Sequence, residues 1–113
     1  MFQLSLFIKC KNANQSLKIL EDLMKNIDTY IISYDVISND PYWKGDGWFK
    51  IVCSIETSIT LDIKKADDIL GLISNQWFWD TGRVSATSDV NNIDTVFFND
   101  TIQFFNCWFE DLD

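Results

Sequence analysis

FQLSLFIKC (residues 2–10) decides what kind of fold can follow. Phe2, Leu4, Leu6, Ile8 and Cys10 fall at strict period two, with Gln3, Ser5 and Lys9 between them. Successive side chains of a strand point to opposite faces, so this is a strand with one buried row and one polar row. Directly after it the period changes. In residues 14–27, Leu17, Leu20, Met24 and Ile27 share one helical face, Lys18, Glu21, Asp22 and Lys25 populate the other, and Asn12 or Asn14 can cap the start. TYIISYDVIS (29–38) then alternates again through Tyr30, Ile32, Tyr34 and Val36, and its β-branched and aromatic content predicts a second strand.

The segment NDPYWKGDGWFK (39–50) holds the only proline and two of the four glycines, which predicts a turn with an exposed tip. WFKIVCSIET (48–57) places Phe49, Ile51, Cys53 and Ile55 on one face of a third strand, antiparallel to the second. Thr60 or Asp62 can cap a second helix that runs through Asn75, with Ile63, Ala66, Ile69, Leu70 and Ile73 as its apolar stripe. The expected class is therefore α+β. An antiparallel sheet carries two helices on one face, in the βαββαβ order of a split βαβ or ferredoxin-like fold, within one domain spanning residues 1–113.

More sequence follows than one closing strand needs, so extra C-terminal strands are expected. QWFWDTGRVSATSD (76–89) reads as a fourth strand, bent or bulged at Gly82, and VFFNDTIQFF (96–105) as two apolar arms around a tight turn at Asn99-Asp100. Residues 102–109 also tolerate a helical wheel, and both assignments stay open. On a strand reading, Ile102, Phe104 and either Trp108 or Phe105 form the core-facing row.

The amino-terminal stretch lacks a basic leader and reads as a strand instead of a signal peptide, and no run approaches the length of a membrane span. Cys10, Cys53 and Cys107 are odd in number and far apart, so three reduced thiols in a cytoplasmic protein are expected. The triplets Asn14-Gln15-Ser16 and Asn99-Asp100-Thr101 match a glycosylation acceptor by chance on that reading.

The net charge of −8 is unevenly placed. Residues 1–75 hold eight lysines against ten acids, whereas residues 76–113 hold only Arg83 against Asp80, Asp89, Asp94, Asp100, Glu110, Asp111 and Asp113. The same last third carries nine of the seventeen aromatic residues. Such a field repels phosphate backbones and attracts basic proteins, so a protein partner with a basic surface is expected and direct nucleic-acid binding is not. The seven acids, with Trp77, Trp79 and Trp108 as anchors and Trp43 in the exposed turn as a separate one, are the candidate interface, because indoles anchor interfaces and surrounding carboxylates speed association. Solvated acids and core-filling rings are the plain alternative for each residue taken singly.

Chemistry is thinly represented. The chain has no histidine, which removes the commonest general base and metal ligand. Its cysteines are too dispersed for zinc, and Gly45 and Gly47 lie between two strands, where no phosphate loop forms. Asp67-Asp68 reads as a solvated helix face. SDVNNIDT (88–95) fails as a calcium loop, since Ile93 stands where an oxygen ligand is required. No enzyme activity, cofactor or metal is expected.

In size, acidity, lysine-bearing helices, scattered tryptophans, absence of histidine and apparent element order, the whole chain resembles the immunity proteins of bacterial contact-dependent growth inhibition. The resemblance implies a cognate toxin domain, often a nuclease with a basic cleft, that this chain would bind and block. A ferredoxin-like regulatory or small-molecule-binding module that dimerises through its sheet is the alternative from another class.

Overall fold

The computed structural model describes residues 1–113 except Lys44, Gly45, Arg83, Glu110, Asp111 and Asp113. The elements in chain order are β1 (Phe2–Lys9), α1 (Ala13–Asn26), a 3-10 turn (Asp28–Tyr30), β2 (Ile31–Pro41), β3 (Trp48–Thr57), α2 (Ile63–Ile73), β4 (Phe78–Trp79), β5 (Ser85–Asp89) and β6 (Ile102–Phe109). The strands form one sheet in the order β2-β3-β1-β6-β5-β4, antiparallel at every pairing.

The class is α+β, but the expected ferredoxin-like order is not the one observed. The described residues form six strands, and the place beside β1 goes to β6, the last of them, instead of to the strand that follows α2. Residues 76–89 are not one bulged strand. Asp80 Oδ1 accepts the N–H groups of Val84 (2.9 Å) and Ser85 (3.2 Å), and this clamp turns the chain back so that β4 and β5 make a hairpin. Nor does VFFNDTIQFF form a tight hairpin. Residues 90–101 are a long connection, pinned where Asn75 donates to Asp94 O (2.7 Å) and accepts from the Val96 N–H (2.7 Å), and where Asn99 Oδ1 accepts from the Thr101 N–H (2.9 Å). Only Phe97 of that connection pairs, in an isolated bridge to Ser74.

Both helices start where the sequence offers a cap. Asn12 Oδ1 accepts the Gln15 N–H (3.0 Å), while Gln15 reaches back to the Lys11 N–H (2.8 Å). Asp62 Oδ1 accepts the Lys65 N–H (2.8 Å), which sets α2 in place of a start at Thr60. α2 stops at Ile73 instead of Asn75 because Ser74 is already extended and bridged to Phe97.

Directly opposed residues share a face of a sheet, so the registers define rows across it. Val36, Cys53, Leu4, Cys107, Ala86 and Trp79 form one, and Asn39, Ile51, Leu6, Phe105 and Ser88 the next. Their inner members join Leu20, Leu23 and Met24 of α1 and Ala66, Ile69 and Leu70 of α2 in a single core. Leu17 lies at the margin of that interface, and Ile19 and Leu23 take the buried positions instead. Asn39 ties β2 to the first turn of α1, donating to Ala13 O (3.1 Å) and accepting from the buried Ser16 hydroxyl (2.7 Å).

The rows in between lie on the other face. Asp40, Lys50, Phe7, Phe104 and Asp89 make one, Asp35, Ser54, Gln3, Trp108 and Ser85 another, and none of these ten residues is buried. No helix covers them: α1 and α2 both sit over the opposite rows.

The carboxyl segment is a strand, and its expected core row holds at Ile102 and Phe105 but not at Phe104 or Trp108. Ile102, Phe105, Cys107 and Phe109 are buried, while Phe104 and Trp108 face the bare side. Ile8 opposes Ile102 but Phe7 opposes Phe104, so Gln103 is an inserted residue that shifts the alternation by one. Phe105→Ala is therefore expected to cost about 3–5 kcal/mol in urea unfolding. Phe104→Ala should cost only about 1 kcal/mol, the loss of its edge-on contact with Phe7. Equal losses from the two variants would contradict the bulge.

Candidate protein-binding surface

At the end of the bare face next to the connection 90–101, rings from several elements meet. Phe7 of β1 stands edge-on to Phe104 of β6 (centroids 5.5 Å) and to Tyr42, the residue after β2 (4.9 Å). Tyr42 in turn stacks on Trp48 of β3 (6.3 Å, 23° between planes). The backbone holds this group, because the Tyr42 N–H donates to Trp48 O (2.8 Å) and closes the β2–β3 turn beneath the rings. Two ammonium groups lie over them, Lys50 Nζ at 5.4 Å from the Phe7 ring and Lys9 Nζ at 5.7 Å from the Trp48 ring. Between these rings and Asp89 lies a recess of about 250 Å³.

The residues singled out from sequence divide sharply. Trp43 is 83% exposed beside Tyr42, and Trp108 is 49% exposed on the bare face. Trp108 and Asp80 line a second shallow hollow together with Asn106, whose buried Oδ1 has no hydrogen-bond donor among the described residues. Asp89 borders the ring cluster, and one of its oxygens accepts the Asn91 N–H (2.9 Å). Asp94 and Asp100 lie exposed in the 90–101 connection, Asp94 with a positive φ of 68° that aspartate tolerates better than most residues. Glu110, Asp111 and Asp113 lie outside the described residues. Among the described acids, Asp89 meets rings at the cluster and Asp80 meets Trp108 at the second hollow.

Trp77 and Trp79 are engaged within the chain. Both are partly buried against the helix side of the core. The Trp77 indole N–H donates to Leu70 O (2.7 Å), which also accepts the Ser74 N–H (3.0 Å), and to Ser74 O (3.2 Å). The Trp79 N–H donates to Asp67 Oδ1 (2.8 Å), so Asp67 anchors the β4 hairpin to α2.

The members of the ring cluster were legible in part. Phe7 interrupts the otherwise polar row Gln3, Ser5, Lys9 of β1, and an apolar ring in a solvent-facing row is a signal of a surface with a use. Trp48 and Lys50 alternate with the core residues of β3 in the same way.

All three cysteines are free. Burial pushes the Cys53 thiol up to about 12 and holds that of Cys107 well above the ordinary value, and burial raises half-buried Cys10 as well, partly offset by a backbone hydrogen bond at Asn12. Among the described residues, no group of three or more His, Cys, Asp and Glu could hold a metal ion, and no helix is long and apolar enough to cross a membrane. Comparison with known proteins matches the chain to no family model, no curated protein and no solved structure.

Acrylamide quenching of indole emission reports the division of the tryptophans. Replacing Trp43 and Trp108 by Phe should remove most of the quenchable emission, whereas Trp77→Phe or Trp79→Phe should leave it and each lower stability by about 1–2 kcal/mol through the lost N–H donor. For the thiols, Ellman's reagent at mildly alkaline pH should modify Cys10 alone in the native protein, since the thiolate is the nucleophile and the buried pair stays protonated. Because unfolded thiols ionise first, the contribution of Cys53 to stability is present below its ordinary value of 9.0 and is lost as pH rises from there to about 12.

Proposed function

We propose that this chain is a non-enzymatic, cytoplasmic inhibitor that docks the bare face of its sheet on a basic protein, in the manner of an immunity protein neutralising a cognate toxin domain. One observation carries the reading: an antiparallel sheet with both helices on one side leaves the opposite side uncovered, and that side bears Phe7, Trp48, Phe104 and Trp108. Rings on an uncovered face are the residues from which interface centres are built. The overall charge of −8 favours a cationic partner and speeds its approach. The experiment is coexpression with the toxin domain encoded next to this gene. The intact chain should restore growth, and Trp108→Ala with Trp43→Ala should weaken the purified complex by about 2 kcal/mol, with an association rate that falls as salt rises. Wild-type affinity in the double variant would remove these rings from the interface.

A homodimeric regulatory or small-molecule-binding module is a second reading, favoured by the outer edge of β2, where Ile32 and Ile37 are 65% and 58% exposed. Sedimentation distinguishes them. A monomer at micromolar concentration supports the inhibitor, and a stable dimer supports the module.

A further inference from the structure

We infer that the recess bounded by Phe7, Tyr42, Trp48, Phe104 and Asp89 receives an arginine side chain of the basic partner. The inference rests on the docking role of the bare face and goes further by naming what enters it. A volume of about 250 Å³ is below the range of cofactor and drug-sized pockets but accommodates one long side chain. Rings supply four of its eight lining residues, and two of those rings already attract cations within the chain, as Lys50 over Phe7 and Lys9 over Trp48 demonstrate.

The charge at the wall selects the sign of the guest. Among the described residues, Asp89 is the one charged side chain that lines the recess, while Lys9 and Lys50 lie over two of its rings. Its carboxylate has no ion-pair partner among the described residues, where the ion pairs are those of Asp22 with Lys18 and Lys25. Lys50 stands opposite Asp40 in the strand register, which offsets its charge at the rim. A guanidinium fits this combination better than an ammonium, being planar, weakly hydrated, able to stack on a ring and able to fork onto a carboxylate. Gln103, also in the wall, supplies an amide oxygen for a remaining N–H.

The test is an NMR titration of the full chain with four capped tripeptides, acetyl-Gly-Xaa-Gly-amide with Xaa as arginine, lysine, citrulline or glutamate. The arginine peptide should move the Trp48 indole and the Asp89 and Gln103 amides, and bind about threefold or more tightly than the lysine and citrulline peptides. Asp89→Asn keeps an oxygen for the Asn91 N–H, so its turn survives, and it should erase the preference for arginine over citrulline. Stronger binding of the glutamate peptide or of a nucleoside monophosphate at the same signals would assign the site to Lys9 and Lys50 and overturn the inference. So would shifts that depend on protein concentration alone, which would place a second copy on this face, or an unmoved Trp48 indole. Failure of the coexpressed toxin to bind would leave the peptide result standing, so the two claims fail separately.

Discussion

The parity of β1 governs this molecule. β1 pairs with β3 on one side and β6 on the other, so the direction in which Phe2, Leu4, Leu6 and Ile8 point fixes the faces of its two neighbours. A slip of one residue would turn those four side chains to solvent and bring Gln3, Ser5 and Lys9 into the core. Every row on the sheet inherits its assignment from this strand, including those that end in Asp40 and Asp89 at the far sides of the bare face. Inserted residues break the inheritance, Gln103 within β6 and Ile32 and Ile37 within β2.

Covering is the second constraint. The helices of 14 and 11 residues both lie on the same side, and their apolar stripes are spent on one set of rows. The opposite rows must face water or a partner. Most of their members suit water, being serine, threonine, glutamine or charged, yet rings occur among them at Phe7, Trp48, Phe104 and Trp108. Burying such rings against another protein regains the hydrophobic free energy that the isolated chain forgoes, and the acidic character of the molecule limits which proteins can approach.

The tryptophans show how tertiary context sorts residues of one type. Trp77 and Trp79 are close in sequence to the acidic third and look like surface anchors by composition. Their N–H groups find α2, one at the carbonyls of its last turn and one at Asp67, and so they hold the β4 hairpin against the helix. Trp108 lies on the strand face that α2 does not reach. The carboxylates divide likewise: Asp80 turns a hairpin, whereas Asp89 borders the ring cluster with one oxygen committed to its own turn.

Local patterns alone determined much of this protein. Period-two alternation marks β1 and β3, and β3 spans the same residues, 48–57, in sequence and structure. Period 3.6 with Asn12 and Asp62 as caps marks both helices, because caps and stripes are interactions among residues a few positions apart. Three decisions belonged to the tertiary structure. The partner of β1 is chosen among strands of similar composition by long-range packing; the bulge at Gln103 is visible only against the register of β1; and the ring cluster unites residues 7, 42, 48 and 104, which no local window contains. Alternation says that a strand has two faces, and only the placement of the helices says which of them is left bare.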